Sequence, residues 1–195
     1  DVKNRTRAVI VVDQAGMPAD IDSIAAVCDP RGISIVEDAA CAIGSTYRGR
    51  PVASAARLGV FSFHPRKILT TGEGGMVVTT DEALATRLTR LREHGMSVSA
   101  LERHASGSPV LESYLEMGFN FRMTDIQAAV GLVQLGRLPE VVARRREIAA
   151  SYQSALADVS EVAMPSDPSW GTTNYQSFCV LLVDDSLDRD GVMSE

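Results

Sequence analysis

Three polar residues follow stretches that are typical of buried strands, and each has a side chain that could do chemistry. Asp38 comes soon after the run Ile33–Val36. Ser62 stands near the end of the run Leu58–Phe63, and Lys67 lies a few residues beyond it. Because open parallel sheets bind ligands beyond the carboxyl ends of their strands, we expect these side chains at one shared edge. A plain ion pair between Asp38 and Lys67 would satisfy the same pattern.

The same three side chains are also the set that pyridoxal phosphate requires. That cofactor needs a lysine for its Schiff base, a carboxylate that keeps its ring nitrogen protonated, and donors for its phosphate. Lys67, Asp38 and Ser62 would supply them in that order. A protonated ring withdraws electrons from the substrate's Cα, which makes a carbanion there accessible. The residue types alone leave this interpretation and the ion pair both open.

A glycine-rich segment, Thr70–Gly75, follows the lysine and invites comparison with phosphate-binding loops. It is not a Walker sequence, because no Lys-Ser or Lys-Thr pair follows its last glycine. It also lacks the G-x-G-x-x-G spacing, and it precedes a predicted strand rather than a helix. We therefore predict a tight glycine turn between neighbouring strands, which would hold the lysine loop in place.

The first half of the chain alternates apolar runs with helical patterns, which predicts an α/β fold with a mostly parallel sheet and flanking helices. The run Ala8–Val12 is rich in β-branched residues and is typical of a strand buried on both faces. A helix is predicted between Pro18 and Pro30 from apolar residues at helical spacing. Only ten residues separate the third predicted strand from the fourth, Gly75–Thr80. A parallel crossover needs more, so the fourth strand should be antiparallel.

The second half of the sequence is predicted to be mainly helical. One helix should be capped by Asp81 and end at Gly95. A capping box formed by Thr124 and Gln127 should begin another helix, and Pro139 should start a further one. The residues expected to face inward from that last helix are Val141, Ile148, Tyr152 and Leu156. A strand-like run covers Tyr175–Val183. A long loop is expected over residues 96–117.

The overall composition is that of an ordinary globular domain. The 195 residues carry a formal net charge of −6 and are 45% hydrophobic, which excludes a disordered chain. Mild acidity argues against nucleic acid or a membrane surface as the main partner, and no apolar run reaches the roughly 18 residues of a membrane span. The charged start argues against a signal peptide. Three widely spaced cysteines and three histidines predict neither a disulfide framework nor a metal site, so a reducing, cytoplasmic location is expected.

Five motifs occur in this sequence in a family-like order and spacing. They are Ile35–Ala40, Phe61–Lys67, Thr71–Gly75, Leu91–Gly95 and Gly118–Ala129. Together they resemble the DegT/DnrJ/StrS family of pyridoxal-phosphate aminotransferases, which act on nucleotide-linked keto sugars. The resemblance runs from about Ala8 to Val183. It implies part of the large domain of a fold-type-I transferase, the aspartate-aminotransferase type, with the start of the small domain.

The resemblance also implies roles for five residues. Lys67 is similar to the family's Schiff-base lysine, and Asp38 to the partner of the ring nitrogen. Ser62 is similar to the phosphate-binding serine, and Cys41 falls at the position near the cofactor's ring hydroxyl. Asn120 is similar to the residue that reaches the phosphate in the neighbouring subunit, which implies a homodimer with a shared active site. The implied cofactor is pyridoxal 5'-phosphate, and the implied substrates are an amino acid donor such as glutamate and a nucleotide-linked keto sugar.

Three departures from the family pattern lie close to the expected cofactor. Cys41 stands where the family usually has His or Gln, and a thiol is a weaker donor. Ile68 stands where the family usually has Asn, and Val12–Gly16 replaces a Val-His-Leu-Tyr-Gly motif. These changes leave the sugar, the position of its ketone and the amino donor open.

The resemblance further implies that the chain is part of a longer protein, since family members are nearly twice its length. Residues 1–137 would be the C-terminal part of the large cofactor-binding domain, 138–160 a long connecting helix, and 161–195 the beginning of the small domain. The first phosphate-binding loop would lie upstream, so the chain alone is expected to be inactive and to take up little cofactor.

Two alternatives to a complete aminotransferase stay open at this point. One is a truncated or cofactor-free relative with an interaction or regulatory role. The other is a pyridoxal-dependent sugar dehydratase, against which Lys67 argues, because relatives that perform that chemistry replace the lysine with histidine.

Overall fold

The computed structural model describes residues 5–98, 111–183, 186 and 188–194. Its main sheet has four strands in the order β1-β2-β5-β6. The first three run parallel, and the fourth runs antiparallel to β5, as the short connection predicted. The four strands are β1 (Ala8–Val12), β2 (Ser34–Asp38), β5 (Leu58–Ser62) and β6 (Gly75–Val78).

Shorter elements complete the described part of the chain. Three small strands pair antiparallel beside the main sheet, and two more form a separate pair near the end of the chain. The first group is β3 (Thr46–Tyr47), β4 (Arg50–Pro51) and β8 (Gly171–Thr172), and the second is β7 (Val162–Ala163) and β9 (Leu181–Leu182). The helices are α1 (Ile21–Cys28), α2 (Glu82–Leu91), α3 (Asp125–Ala155) and α4 (Arg189–Val192).

The core lies on one face of the main sheet, between the sheet and α1. Its buried members come from β1, α1, β2 and β3, and they are Val11, Ile21, Cys28, Ile33, Ile35 and Tyr47. The prediction that β1 is buried on both faces is wrong for this chain. Ile10 is 68% exposed and Val12 is 49% exposed, because successive strand side chains point to opposite faces and only one face is covered here.

The helix predicted to start at Pro139 is in fact the second half of α3, which runs through this proline. Proline removes one backbone donor from a helix but leaves the flanking turns intact when tertiary contacts hold them. Val142 and Leu138 lie against Gly44, where a Cβ would stand 2.8 Å from Val142 Cγ2 and 3.5 Å from Leu138 Cδ1. Packing on both sides of Pro139 therefore keeps the helix continuous.

The inward face of α3 also differs from the prediction. Ile148 and Tyr152 are 40% and 51% exposed, whereas Ala149 is buried. Arg145 and Arg146 face the segment of residues 173–176 instead, and they donate hydrogen bonds to its backbone carbonyls. Hydrogen bonds from these two guanidinium groups determine which face of the helix is directed inward. The spacing of apolar residues in the sequence gives no information about such contacts.

Two further boundaries were predicted wrongly. The strand-like run Tyr175–Val183 forms a strand only at β9, because Tyr175 has a φ of 51° and does not extend the chain. Helix α2 ends at Leu91 rather than at Gly95, which lies in a left-handed turn with a φ of 76°. The capping box predicted at the start of α3 is confirmed. Part of the predicted loop over residues 96–117 lies outside the described residues.

Within the described ranges, no helix is long and apolar enough to cross a membrane. The same part of the chain holds no cluster of three or more His, Cys, Asp or Glu side chains suited to a metal ion.

Candidate active site

The carboxyl ends of β1, β2 and β5 lie side by side at one edge of the main sheet. Asp38 is the last residue of β2 and pairs with Val12 on one side and Val60 on the other. Its Oδ1 accepts a hydrogen bond from the Ala40 amide at 3.1 Å, which fixes the carboxylate at the strand end. Ser62, the last residue of β5, lies two positions beyond Val60 at the same edge. The structure therefore brings two of the predicted site residues together.

Lys67 reaches back toward the segment that follows β2. Its Nζ donates a hydrogen bond to Sγ of Cys41 at 3.0 Å, and both side chains are half-buried. Among the described contacts the partner of this amine is thus a thiol, and no ion pair with Asp38 is formed. The amine and the carboxylate therefore lie at one sheet edge without forming an ion pair with each other.

The loop that carries Lys67 is closed by the glycine turn predicted from the sequence. The Phe63 amide donates to the Gly74 carbonyl at 2.9 Å, and the Thr71 amide donates to the Phe63 carbonyl at 3.1 Å. Gly74 has a φ of 152°, and a Cβ there would stand 2.7 Å from Thr71 Oγ1. A side chain at residue 74 would therefore displace the threonine that holds the turn.

Gln176 supports the lysine from the opposite end of the sequence. Its Oε1 accepts a hydrogen bond from the Ile68 amide at 3.0 Å, and its Nε2 donates to the Arg66 carbonyl at 3.0 Å. The Gln176 carboxamide thus forms a hydrogen bond with the backbone on each side of Lys67. Rotation of the lysine's own peptide units would break both bonds, so Gln176 restrains where the amine can point.

Asn174 holds the segment that carries Cys41, and its side chain is completely buried. Its Nδ2 donates to the carbonyls of Cys41 and Ile43 at 2.9 and 2.8 Å, and its Oδ1 accepts from the Gln176 amide at 2.7 Å. Asn174 and Gln176 together therefore connect the thiol-bearing segment to the lysine-bearing loop. The short contact between Cys41 and Lys67 follows from this arrangement.

Ser62 is half-buried, and its Oγ accepts a hydrogen bond from the His64 amide at 3.4 Å. Ser62 accepts in this bond and does not donate, so the hydroxyl proton remains available for an acceptor beyond the sheet edge. His64 itself is exposed, and its Nε2 lies 3.9 Å from Glu73 Oε1.

Asn120, the fifth residue predicted for the site, lies apart from the other four. It is exposed and forms an antiparallel bridge with Glu93. In the described residues no hydrogen bond joins Asn120 to the sheet edge. Its neighbours Phe119 and Phe121 stack with ring centroids 5.0 Å apart while remaining 51% and 72% exposed. The chain therefore places Asp38, Cys41, Ser62 and Lys67 at or near the sheet edge, whereas Asn120 lies elsewhere.

Two supporting residues, Asn174 and Gln176, were missed by reasoning from the sequence. They lie in an irregular segment that has neither a helical nor a strand period, and their partners are more than 100 residues away. Polar residues in such a segment are usually attributed to a loop. The predicted strand-like run Tyr175–Val183 included Gln176, whereas Asn174 lies just before it, and only the tertiary contacts reveal the roles of the two residues.

Comparison with known proteins agrees with this geometry. The profile of the DegT/DnrJ/EryC1/StrS aminotransferase family matches residues 1–195. The aminotransferase TlmJ from Streptoalloteichus hindustanus is 38% identical with a TM-score of 0.86, and the match covers 97% of this chain and 49% of TlmJ. DesI, solved in the presence of its TDP-sugar product, is 35% identical with a TM-score of 0.85, and the match covers 99% of this chain and 47% of DesI.

A third similar structure, Spr1654 from Streptococcus pneumoniae, was solved in a PMP form. It is 29% identical with a TM-score of 0.84, and the match covers 93% of this chain and 51% of Spr1654. The chain spans about half the length of each of these three proteins. The fold is thus that of the matching part of the fold-type-I sugar aminotransferases. The chain belongs to the DegT/DnrJ/EryC1/StrS aminotransferase family.

Proposed function

We propose that the gene product carrying this chain is a pyridoxal-phosphate-dependent aminotransferase that transfers an amino group from an amino acid such as glutamate to a nucleotide-linked keto sugar. The observation that carries the proposal is the position of the Lys67 amine. It lies at the sheet edge where Asp38 ends β2, and a thiol rather than a carboxylate is its partner. No ion pair among the described residues holds this amine, so it is placed to reach a carbonyl carbon bound at this edge.

The chemistry of the donor set fits this cofactor. The edge offers one amine, one carboxylate and one hydroxyl, from Lys67, Asp38 and Ser62. The recorded hydrogen bond of the Asp38 side chain uses Oδ1, which leaves Oδ2 for a ring N–H. Cys41 lies beside the lysine and would line the same site near the ring hydroxyl. These four residues would hold the group, and Asn120 would be contributed to the phosphate of a neighbouring subunit.

Each of these residues has a definite task in an amino transfer. When bound, pyridoxal phosphate supplies a carbonyl carbon for the donor's amine and a ring that accepts electrons. The Asp38 carboxylate would hold the proton on the ring nitrogen, because a negative charge there favours the cationic form. Lys67 Nζ would accept the proton that leaves the donor's Cα and pass it to the former carbonyl carbon of the bound group, and in the second half it would carry a proton back to the sugar carbon that receives the amine. The Ser62 hydroxyl would donate a hydrogen bond to the phosphate group.

The substrate class in this proposal is supported by the similar structures. DesI was solved with its TDP-sugar product, and the match with DesI covers 99% of this chain. The acceptor for this protein would accordingly be a keto sugar linked to a nucleoside diphosphate. Its sugar specificity would differ from that of relatives with His or Gln at the position of Cys41, because that position lies next to the lysine.

We further propose a homodimer in a reducing, cytoplasmic compartment. The segment around Asn120 exposes large apolar side chains that a single copy leaves uncovered, including Phe121 and Ile126, which are 72% and 80% exposed. Exposed apolar patches of this kind mark interfaces. All three cysteines are free thiols, which supports a reducing environment.

The experiment is to purify the gene product, add pyridoxal phosphate and record the visible absorption spectrum. We expect a band of lysine-bound cofactor that bleaches when glutamate is added, together with release of 2-oxoglutarate. Addition of a TDP-linked keto sugar should restore the band, and a plain keto sugar should not. A protein that binds no cofactor, or one whose spectrum ignores every amino acid donor, would contradict the proposal.

A further inference from the structure

Two buried carboxyl groups lie directly beside the end of β2, and neither has a role in the amino transfer described above. Asp13 is the first residue after β1, and its side chain is completely buried. Glu37 precedes Asp38 in β2, and its side chain is 1% exposed. Carboxyl groups this deeply buried are costly unless they are neutralised or hydrogen-bonded, so their partners matter.

Each carboxyl group has one satisfied oxygen and one unsatisfied oxygen. Asp13 Oδ1 accepts from the Ala19 amide at 2.9 Å, and Glu37 Oε1 accepts from the Ala53 amide at 2.8 Å. Asp13 Oδ2 and Glu37 Oε2 are both buried and have no hydrogen-bond donor among the described residues. Two ionised carboxylates cannot help each other, because both only accept. A single proton would turn one of them into a donor and satisfy both oxygens.

We infer that Asp13 and Glu37 share one proton between Oδ2 and Oε2, and that this acid pair is a positioning element that holds the strand ends around Asp38. A backbone hydrogen bond connects this acid pair to Asp38. The Asp13 amide donates to the Asp38 carbonyl at 3.0 Å, so a shift of Asp13 moves Asp38 with it. The proton-sharing pair thus joins β1 and β2 at the strand end that carries the proposed ring-nitrogen partner.

Glu37 extends the connection to the third parallel strand. The residue whose amide it binds, Ala53, has a φ of 66°, which an alanine adopts only when its surroundings hold it there. Ala53 also lies in tight contact with Gly59 of β5, where a Cβ would collide with it. Glu37 therefore fixes a strained segment against the strand that leads to Ser62. One shared proton stabilises all three strand ends.

The charges around the pair favour protonation. Burial is the main reason that the pKa of Asp13 rises to about 7, and the neighbouring carboxyl group of Glu37 adds to the effect. The charge of Asp38 raises this pKa further, and the Ala19 amide lowers it. From the segment before β5 the group facing Glu37 is the uncharged Ala53 amide. The charged groups that act on Asp13 are therefore both carboxylates, on β2.

A proton held more tightly in the folded chain makes stability depend on pH. In the unfolded chain Asp13 has its ordinary pKa of 3.8, whereas in the folded chain its pKa is about 7. The folded state therefore binds more protons between these two values. The stabilisation is complete below the unfolded pKa and is lost as the pH rises through the folded one. The protein should become less stable from mildly acidic to mildly alkaline pH.

The experiment compares thermal unfolding of the cofactor-free gene product from about pH 5 to about pH 8.5. Asp13→Asn is the test variant, because an amide donates to Glu37 without a titrating proton. Asp158→Asn removes an exposed carboxylate and serves as the control. We expect Tm of the wild type and of the control to fall with rising pH, whereas the Asp13→Asn profile is flatter and exceeds the wild type at the alkaline end. Parallel profiles for wild type and Asp13→Asn would overturn the proposal.

A second measurement keeps the proposal testable if the variant does not fold. Infrared spectra of the cofactor-free wild-type protein should show the carbonyl stretch of a protonated carboxyl group near pH 6, where ordinary Asp and Glu are ionised. That band should disappear as the pH is raised past about 8. Absence of the band at pH 6 would show that both carboxyl groups are ionised and would refute proton sharing. Neither readout depends on cofactor binding, so failure here is distinct from failure of the proposed function.

Discussion

Two regions of the molecule that the sequence marks for function differ sharply in how complete they are. At the sheet edge, Asp38 is fixed by its strand pairing and the Ala40 amide, and Lys67 is held between backbone groups gripped by Gln176. The second region consists of the segment Met117–Phe121 and the first turns of α3, and its large apolar side chains are exposed. Phe121 is 72% exposed, and among the described residues no hydrogen bond joins Asn120 to the sheet edge.

The difference shows which parts of the proposed chemistry one copy of the chain can build. The sheet edge has its buried polar contacts satisfied by its own chain, apart from the two oxygens assigned to the shared proton. Its side chains are preorganised, as a catalytic centre requires. The second region has well-formed secondary structure, including the capping box of Thr124, but its apolar side chains lack cover. This is the surface that the proposed homodimer would cover.

The largest effect is expected from Lys67→Ala in the gene product. If the sheet edge is the reacting centre, loss of the Lys67 amine should lower amino transfer about 10⁴-fold, at the upper end of proton-transfer contributions. The fold should persist, because the lysine side chain makes a single hydrogen bond to Cys41. The measurement is the rate of 2-oxoglutarate release from glutamate, with Tm recorded alongside. Lys3→Ala, which removes the other lysine of the sequence, is the matched control and should be near normal.

Asp38→Asn should have the next largest effect. The amide keeps the acceptor for the Ala40 amide but loses the charge that holds a proton on a ring nitrogen. We expect the cofactor to remain bound and the rate to fall roughly 10³-fold, or about 4 kcal/mol of barrier. Single-turnover absorbance with glutamate measures it. Near-normal turnover would remove Asp38 from the mechanism and weaken the contrast between the two regions.

Asn174→Ala tests whether the sheet edge is held together by buried hydrogen bonds. The substitution would leave the carbonyls of Cys41 and Ile43 and the amide of Gln176 without their partner. Unsatisfied buried polar groups cost about 1–3 kcal/mol each, so we expect a loss of roughly 3 kcal/mol in the free energy of unfolding. Urea unfolding measures this loss. A change below about 0.5 kcal/mol, which is ordinary for a surface substitution, would show that Asn174 does not carry this role.

Phe121→Asp probes the exposed region and should have the smallest effect. A charge on this uncovered aromatic position should weaken association of two copies about tenfold, roughly 1.4 kcal/mol, while Tm at high dilution stays unchanged. Sedimentation velocity at several concentrations measures it. Val192→Asp places the same charge on another exposed apolar residue and should leave association intact. Equal effects of both variants would mean that the segment around Phe121 is not an interface.

Much of the sheet edge could be predicted from the sequence. β-branched runs mark β1 and β2, and the short connection between Ser62 and Gly75 requires an antiparallel pair, because so few residues cannot cross over. The Thr124 capping box follows from local spacing. These signals are local, so a single sequence contains them. They place Asp38 and Ser62 correctly at the carboxyl ends of neighbouring strands.

The contacts that complete the edge could not be predicted, because they join distant residues. The Asp13 and Glu37 pair depends on the register between β1 and β2, which no local pattern specifies. The grip of Gln176 on the lysine loop spans more than 100 residues. Helix α3 continues through Pro139 because tertiary contacts override the usual preference of proline. The roles of residues outside a helical or strand pattern can therefore be assigned only once the three-dimensional structure is known.

The most direct test of the central claim is chemical capture of the cofactor by the sheet edge. The sequence contains only two lysines, Lys3 and Lys67, so borohydride reduction of the gene product with pyridoxal phosphate, followed by peptide mass mapping, has few outcomes within this chain. We predict stoichiometric labelling of the peptide that contains Lys67, none at Lys3, and loss of the label when glutamate is added before reduction. Labelling that spares Lys67, or that glutamate does not prevent, would contradict the account.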